Sequence, residues 1–234
     1  IAGTSQESKL HLCRLGVDTR KFHFKLRPAP ESGKVIRLLC VGRLVPAKGQ
    51  MLLIRALARL QDDLQKEDRP VTLTLVGAGP DRAALEAEVA SQGLSDQVSF
   101  AGPLGADAVR EHMQSADLFV LPSLAEGIPV VLMEAMASGL PCVSTPVNGI
   151  PELLEHERTG LLAAPGDVQS LADALIRLIR DPALGHGLAM SARAKVLTDF
   201  DLALNTARLS RLFEGFTRSS PSNELNGASW TSRS

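Results

Sequence analysis

Two glutamates, Glu126 and Glu134, stand eight positions apart, and Gly127 and Pro129 follow the first of them. An apolar run over 118–122 precedes the pair, and a helix-like run over 130–137 contains the second. A strand, a short loop and a helix opened by proline present free backbone N–H groups to an anion. The two carboxylates can accept hydrogen bonds from hydroxyls of the same ligand. Glu126 is placed to point into a cleft above the strand end. Glu134 sits about one turn deeper, where a ribose diol could donate to it. A phosphate beside polyhydroxylated rings describes a nucleotide sugar.

The other loops fit the same ligand. Gly42, Arg43, Lys48 and Gly49 follow an apolar run. Gly42 allows a tight turn, Arg43 offers a planar fork for phosphate oxygens, and Lys48 a compact ammonium. A cation at a helix start is mildly unfavourable, and a bound anion would offset that. The alternative is a solvated turn with two surface bases. Gly77 and Gly79 close the next run and permit close backbone approach, but a lone G-x-G fits a plain turn nearly as well. Gly102 and Pro103 could show backbone groups to the edge of a base, or simply turn the chain. Asn148 to Glu152 read as a loop opening a short helix, with Glu152 placed as a dipole partner. The five histidines are scattered without ligand spacing, so no metal site is expected. No Walker lysine loop and no G-x-S-x-G elbow is present.

These loops need a scaffold. Strands are expected over 36–41, 72–76, 97–100, 118–121, 142–145 and 160–163. Helices are expected over 49–64, 81–92, 106–114, 129–138 and 151–155, then over 167–180, 182–197 and 201–216. Leu52, Leu53, Ala56, Leu60 and Leu64 form one apolar stripe, and Leu171, Ala174, Leu175 and Leu178 another. Asp167 reads as an N-cap. Strict alternation of strand and helix implies an α/β fold, a Rossmann-like doubly wound parallel sheet whose ligands bind at the carboxyl ends of strands. Three segments follow from this: an irregular linker and remnant over 1–34, a nucleotide-sugar (donor) binding domain over 35–216, and a disordered tail over 217–234.

Composition narrows the function. A net charge of −1 leaves no electrostatic footprint for nucleic acid, and the absence of Tyr argues against stacking platforms. Cys13, Cys40 and Cys142 show no paired spacing and read as reduced thiols of a cytosolic protein, the last two packed inside. No apolar run reaches the ~18 residues of a membrane span. Ile1 in place of Met suggests that the numbering starts inside a longer chain.

In order, the loops resemble the family 4 retaining glycosyltransferases (glycosyl transferases group 1). The matching residues are Gly16-Val-Asp18 with Phe22, Val41-Gly-Arg-Leu44 with Lys48-Gly49, and Leu75-Val-Gly-Ala-Gly-Pro80. Further along they are Ala116-Asp117, Pro122-Ser123, Glu126-Gly127 with Pro129, and Glu134-Ala-Met-Ala-Ser-Gly139. The series ends with Gly149-Ile-Pro-Glu152, Gly160-Leu-Leu162 and Pro165-Gly-Asp167. It looks closest to bacterial enzymes that build exopolysaccharide, capsule or lipopolysaccharide.

The resemblance implies a GT-B fold, of which this chain is the C-terminal half, and transfer of a sugar from a nucleoside diphosphate to an acceptor hydroxyl with retention. It implies Arg43 and Lys48 on the diphosphate, Glu126 on the donor sugar and Glu134 on the ribose. Gly42, Gly77 and the backbone at Gly127 and Ile128 would lie along the sugar and phosphate, with Pro103 and Leu104 framing the base. No metal or other cofactor is implied. The partners would be the nucleotide sugar, a glycan or lipid-linked acceptor, and an N-terminal acceptor domain absent from this chain. Without that domain the chain is expected to be inactive, with 203–216 weakly anchored. The location implied is the cytoplasm, with room for peripheral contact at the inner membrane face. Two other readings use the same residues: a non-catalytic nucleotide-sugar binding module, and a nucleotide-sugar 2-epimerase.

Overall fold

The computed structural model describes residues 10–27 and 33–219. Six strands form one parallel sheet: β1 (Ile36–Val41), β2 (Val71–Val76), β3 (Val98–Gly102), β4 (Leu118–Leu121), β5 (Cys142–Ser144) and β6 (Leu161–Leu162). Their order across the sheet is β3-β2-β1-β4-β5-β6. The chain winds outward from β1 in one direction, then returns to β4 and winds the other way. This is the doubly wound order, and its reversal lies between β1 and β4.

The helices cover both faces. α1 (Gln50–Lys66), α2 (Arg82–Ser91) and α6 (Val168–Arg180) pack on one side, where Leu38 and Cys40 of β1 point. α3 (Ala106–Ser115), α4 (Val130–Ala137), α5 (Ile150–Leu153) and most of α7 (Pro182–Asp199) pack on the other, against Leu39, Phe119 and Leu121. Side chains alternate across a strand, so neighbouring residues feed opposite cores. β4 is buried along its whole length, as a strand covered on both faces must be. The expected helical stripes are present but rotated. In α1, Ile54 and Leu57 are buried while Leu52 is only half-buried; in α6, Ala172 and Ile179 are buried and Ala174 is half-buried. A sheet-packed helix buries a wider arc than four or five leucines mark out.

Differences from the expected boundaries are one to three residues. α4 begins at Val130 with Pro129 as its non-helical cap, and Asp167 caps α6 by accepting from the N–H groups of Gln169 (2.8 Å) and Ser170 (3.2 Å). α8 (Leu202–Ser219) runs past Thr217; residues 220–234 of the expected tail lie outside the described residues, as do 28–32 of the expected linker and 1–9.

Residues 10–27 carry almost no regular structure, yet their second half is stitched to the body. Val17 N–H donates to Phe200 C=O (2.9 Å) and Leu202 N–H to Val17 C=O (3.0 Å). A Cβ on Gly16 would stand 2.8 Å from the Leu202 backbone and the Phe200 carbonyl. The Gly16-Val-Asp18 signature is therefore a crossing point of two backbones. Asp18 caps the short turn Thr19–Lys21 and pairs with Arg20. Buried Asn205 ties the first turn of α8 to Leu15 and Asp199 carbonyls, whereas Leu209 and Phe213 beyond it are exposed.

Two glycines with nearly equal backbone angles separate conformational cost from contact. Gly49 (φ 70°) ends the loop after β1, where a Cβ would overlap the Pro122 carbonyl; Gly93 (φ 68°), after α2, has nothing within 4 Å of that position. Gly93→Ala is expected to cost ~1–2 kcal/mol for a left-handed non-glycine residue. Gly49→Ala adds an overlap worth about 1–3 kcal/mol more. Equal losses on thermal denaturation would show that the β1 and β4 loops do not touch.

Candidate functional site

At the reversal between β1 and β4, two loops leave the sheet in the same direction. The β1 loop (residues 42–49) includes a 3₁₀ turn, Pro46–Lys48, closed by left-handed Gly49. The β4 loop (residues 122–129) runs directly beside it. Leu124 N–H donates to Ala47 C=O at 2.8 Å, and Gly49 lies against the Pro122 carbonyl. The loop after β5 closes the other side: a Cβ on Gly149 would meet the Gly127 carbonyl at 2.5 Å and Ile128 Cγ1 at 2.7 Å. Thr145 Oγ1 donates to Ser123 C=O, and Ser144 Oγ to Leu121 C=O at 2.6 Å. Three strand ends are thus held together by backbone contact and buried hydroxyls.

Into this frame the structure brings Lys48 and Glu126. Lys48 Nζ donates to Glu126 Oε1 in an ion pair, and Ser123 Oγ donates to the same oxygen at 2.9 Å. The side chains keep 23% and 8% of their exposure, so the pair is shielded but reachable. The Lys48 stem lies over Gly42, its Cγ, Cδ and Cε 3.7–3.8 Å from where a Cβ would sit. Cys40 lies close enough to feel both charges; burial pushes its thiol up to about 12, so it stays protonated.

Just past Glu126, α4 begins without a side-chain cap. The N–H groups of Gly127, Ile128, Val130 and Val131 find no acceptor among the described residues. Unpaired amides at a helix start form a positive pole. Glu134, one turn on, is half-buried; its backbone carbonyl accepts from Ser138, but no group among the described residues donates a hydrogen bond to its carboxylate. Burial raises its carboxyl above the usual range, against a weaker opposing pull from Arg110. Arg43 is exposed, and among the described residues its guanidinium has no carboxylate partner. Its carbonyl is braced by the buried Gln50 amide at 2.8 Å.

The remaining sequence-derived residues divide. Gly77 (φ 141°) and Gly79 do permit close approach, but to the neighbouring loop: a Cβ on Gly77 would overlap the Gly42 carbonyl, and one on Gly79 the Leu44 carbonyl. Gly102 C=O is occupied by Gly77 N–H at 2.8 Å. Pro103 is exposed, and Leu104 is half-buried against the α3–α4 core. Among the described residues no group of His, Cys, Asp or Glu could hold a metal ion, and no helix is long and apolar enough to cross a membrane. Sequence reasoning gave no role to Ser123, Thr145 or Gln50. For Ser123 and Thr145 the available signal was a polar residue at the end of an apolar run, which is costly unless hydrogen-bonded.

Comparison with known proteins bears on the fold and the family. Residues 35–181 match the family described as glycosyl transferases group 1. The amylovoran biosynthesis glycosyltransferase AmsK of Erwinia amylovora is 38% identical over 220 residues, covering 92% of this chain and 53% of that protein. The chain therefore spans about half the length of such curated relatives. HepE of Anabaena, solved in complex with UDP-glucose, superposes with a TM-score of 0.74 at 26% identity over 86% of this chain and 56% of that one. The C-terminal domain of the group 1 glycosyl transferase LpcC from Francisella tularensis gives 0.68 at 28% identity, over 78% of this chain and 97% of that one. This chain belongs to the glycosyl transferases group 1, and its doubly wound sheet is the C-terminal half of a GT-B fold.

Proposed function

We propose that this chain is the donor-binding half of a retaining glycosyltransferase of hexosyltransferase type. It would move a sugar from a nucleoside diphosphate to an acceptor hydroxyl during assembly of a bacterial exopolysaccharide, capsule or lipopolysaccharide. The observation that carries this reading is the convergence, at the sheet's reversal, of Lys48, Glu126 and the uncapped start of α4. Ligands of doubly wound sheets bind at that point. The UDP-glucose complex of HepE, which shares the fold, supports a nucleotide sugar as the ligand.

In this reading the diphosphate lies over the N–H groups of Gly127, Ile128 and Val130, with Arg43 and Lys48 as its cations. Cleavage of the sugar–phosphate bond builds negative charge on the leaving diphosphate, and fixed positive groups there lower the barrier. Glu134 accepts from the ribose hydroxyls. A half-buried carboxylate without a donor gains most from hydroxyls that supply one. Glu126 positions the sugar. Gly42 and Gly77 act through the backbone, as floor and buttress of the loop that carries Arg43. Pro103 and Leu104 border the base. The acceptor, a glycan or lipid-linked glycan, would be bound by the part of the protein beyond this half, and the reaction would take place in the cytoplasm, where donors are made.

Two outcomes test the site. Arg43→Ala should weaken binding of UDP or GDP by roughly ten- to a hundredfold, the worth of a charge-assisted hydrogen bond of ~1.5–3 kcal/mol. Calorimetry showing unchanged affinity removes Arg43 from the phosphate site.

The second outcome is a pH dependence. The raised carboxyl of Glu134 takes up its proton at higher pH than an ordinary glutamate as the solution is acidified. Nucleotide affinity should therefore begin to fall above the usual carboxylate range, and Glu134→Gln should flatten that slope. In the unliganded chain the linkage runs the other way. A carboxyl whose folded value is raised contributes stability below its unfolded value and loses it as pH rises through the folded one. Glu134→Gln should then gain stability at neutral pH relative to acid, read from thermal melts across the two conditions. A variant indistinguishable from the parent in both measurements would place Glu134 outside the site.

A further inference from the structure

The Lys48–Glu126 pair joins two groups that the proposed function assigns to different parts of one ligand. Lys48 is meant for the diphosphate and Glu126 for the sugar, yet in the structure each satisfies the other. Glu126 Oε1 already receives two donors, from Lys48 and Ser123, while no donor reaches Oε2 among the described residues. Ser123 is fully buried, and its carbonyl is fixed by Thr145, so its hydroxyl keeps Glu126 in place whether or not Lys48 remains. The Lys48 stem passes over Gly42, 3.7–3.8 Å from where a side chain would begin, so the absent side chain leaves space beneath it.

We propose that this ion pair is an internal competitor for the diphosphate and couples the two halves of the donor site; the inference rests on the nucleotide-sugar reading above. A diphosphate that recruits Lys48 strips Glu126 of its cation and leaves a shielded carboxylate short of partners. That loss offsets part of the gain. When the ligand also carries a sugar, its hydroxyls donate to the released carboxylate and the loss is recovered. A nucleotide lacking the sugar leaves it unrecovered. The pair therefore favours the intact donor over the nucleoside diphosphate left after transfer, and Glu126 is a specificity-determining residue through what it holds in the empty site.

The test is calorimetry on this chain with UDP, UDP-glucose, GDP and GDP-mannose, using the nucleotide pair that the parent chain binds. Glu126→Gln should tighten binding of the bare diphosphate and weaken that of its sugar conjugate. Together the two changes should lower the preference for the conjugate roughly fivefold or more, the usual size of coupling between linked sites. Removal of a nearby negative charge would also tighten diphosphate binding, so the decisive comparison is made in a Lys48→Met background. Competition predicts that Glu126→Gln then gives no gain for the diphosphate. Simple repulsion predicts a gain as large or larger, and that result overturns the proposal. Glu126→Asp, which keeps the charge but draws it back by one methylene, should tighten diphosphate binding in the same direction; loss of affinity there also counts against competition. Thermal melts confirm that each variant is folded. A parent chain that binds none of the four nucleotides removes the donor-site reading and this inference together. Parent binding that Arg43→Ala weakens, with no gain from either Glu126 variant, overturns the inference alone.

Discussion

The contact between the loops after β1 and β4 is the constraint on which the rest of the structure depends. In a doubly wound sheet those strands are neighbours in space but far apart in the chain, and Lys48 and Glu126 are 78 positions apart. Nothing local draws them together. They meet because parallel pairing of Leu38 with Leu118 and Leu39 with Phe119 fixes the relative height of the two strand ends. Slipping that register by one residue would turn each core-facing side chain to the wrong face. The apolar contacts that forbid the slip therefore also position the ion pair. The loops can then approach only because Gly49 has no side chain where the Pro122 carbonyl passes.

The two poles of the sheet use charge differently. At the amino ends of the strands Arg27, Arg37 and Asp117 are spent on the protein itself. Arg37 takes both oxygens of Asp117, at 3.1 and 3.2 Å. Buried Arg27 donates to the carbonyls of Lys25, Met113, Ala116 and Ser138, gathering the ends of α3 and α4 onto the incoming segment. Burial lowers its guanidinium to about 10, which leaves it charged at neutral pH. A partly open cavity of about 130 Å³ lies at this pole, beside Arg27, Ile36, Asp117 and His186. Its Arg27, Arg37 and Asp117 side chains are already hydrogen-bonded within the protein. At the carboxyl pole Arg43, Glu134 and the start of α4 are left without partners among the described residues, and chemistry is expected where polar groups are unsatisfied.

Much of this was legible in the sequence, for physical reasons. Short apolar runs alternating with amphipathic ones can bury their apolar surface only as a covered parallel sheet, so element order and type followed from patterning. The loops at the strand ends were marked by glycine and proline, which state a backbone requirement in a single residue. What could not be read was which neighbour imposed the requirement. Gly77 and Gly79 announce a close approach, but only coordinates show that the Gly42 and Leu44 carbonyls occupy the space. The packing of residues 10–27 was illegible because it rests on backbone hydrogen bonds to Phe200 and Leu202, on Arg27 bound to distant carbonyls and on two isolated apolar residues, Val17 and Phe22, which form no hydrophobic period. Ser123 entered only as a signature residue without a role, because a hydroxyl aimed at a carboxylate looks, in sequence, like any loop serine.

A count of charges at the reversal shows why backbone groups matter there. Arg43 and Lys48 on the β1 loop stand against Glu126 on the β4 loop and Glu134 in α4, on which Arg110 also acts, so side chains of both signs share this end of the sheet. With Lys48 occupied by Glu126, the excess positive charge available to an incoming anion is Arg43 and the four unpaired amides leading into α4. Those amides cannot be neutralised by a counter-ion on a flexible side chain, and they require no reorganisation when an anion arrives. A site built in this way would capture a diphosphate first on the backbone and Arg43, and recruit Lys48 second. That order requires the loop between Glu126 and Val130 to be rigid before the ligand enters. The packing of Gly127 and Ile128 against Gly149, together with the Thr145 clamp on Ser123, supplies that rigidity from the neighbouring strand.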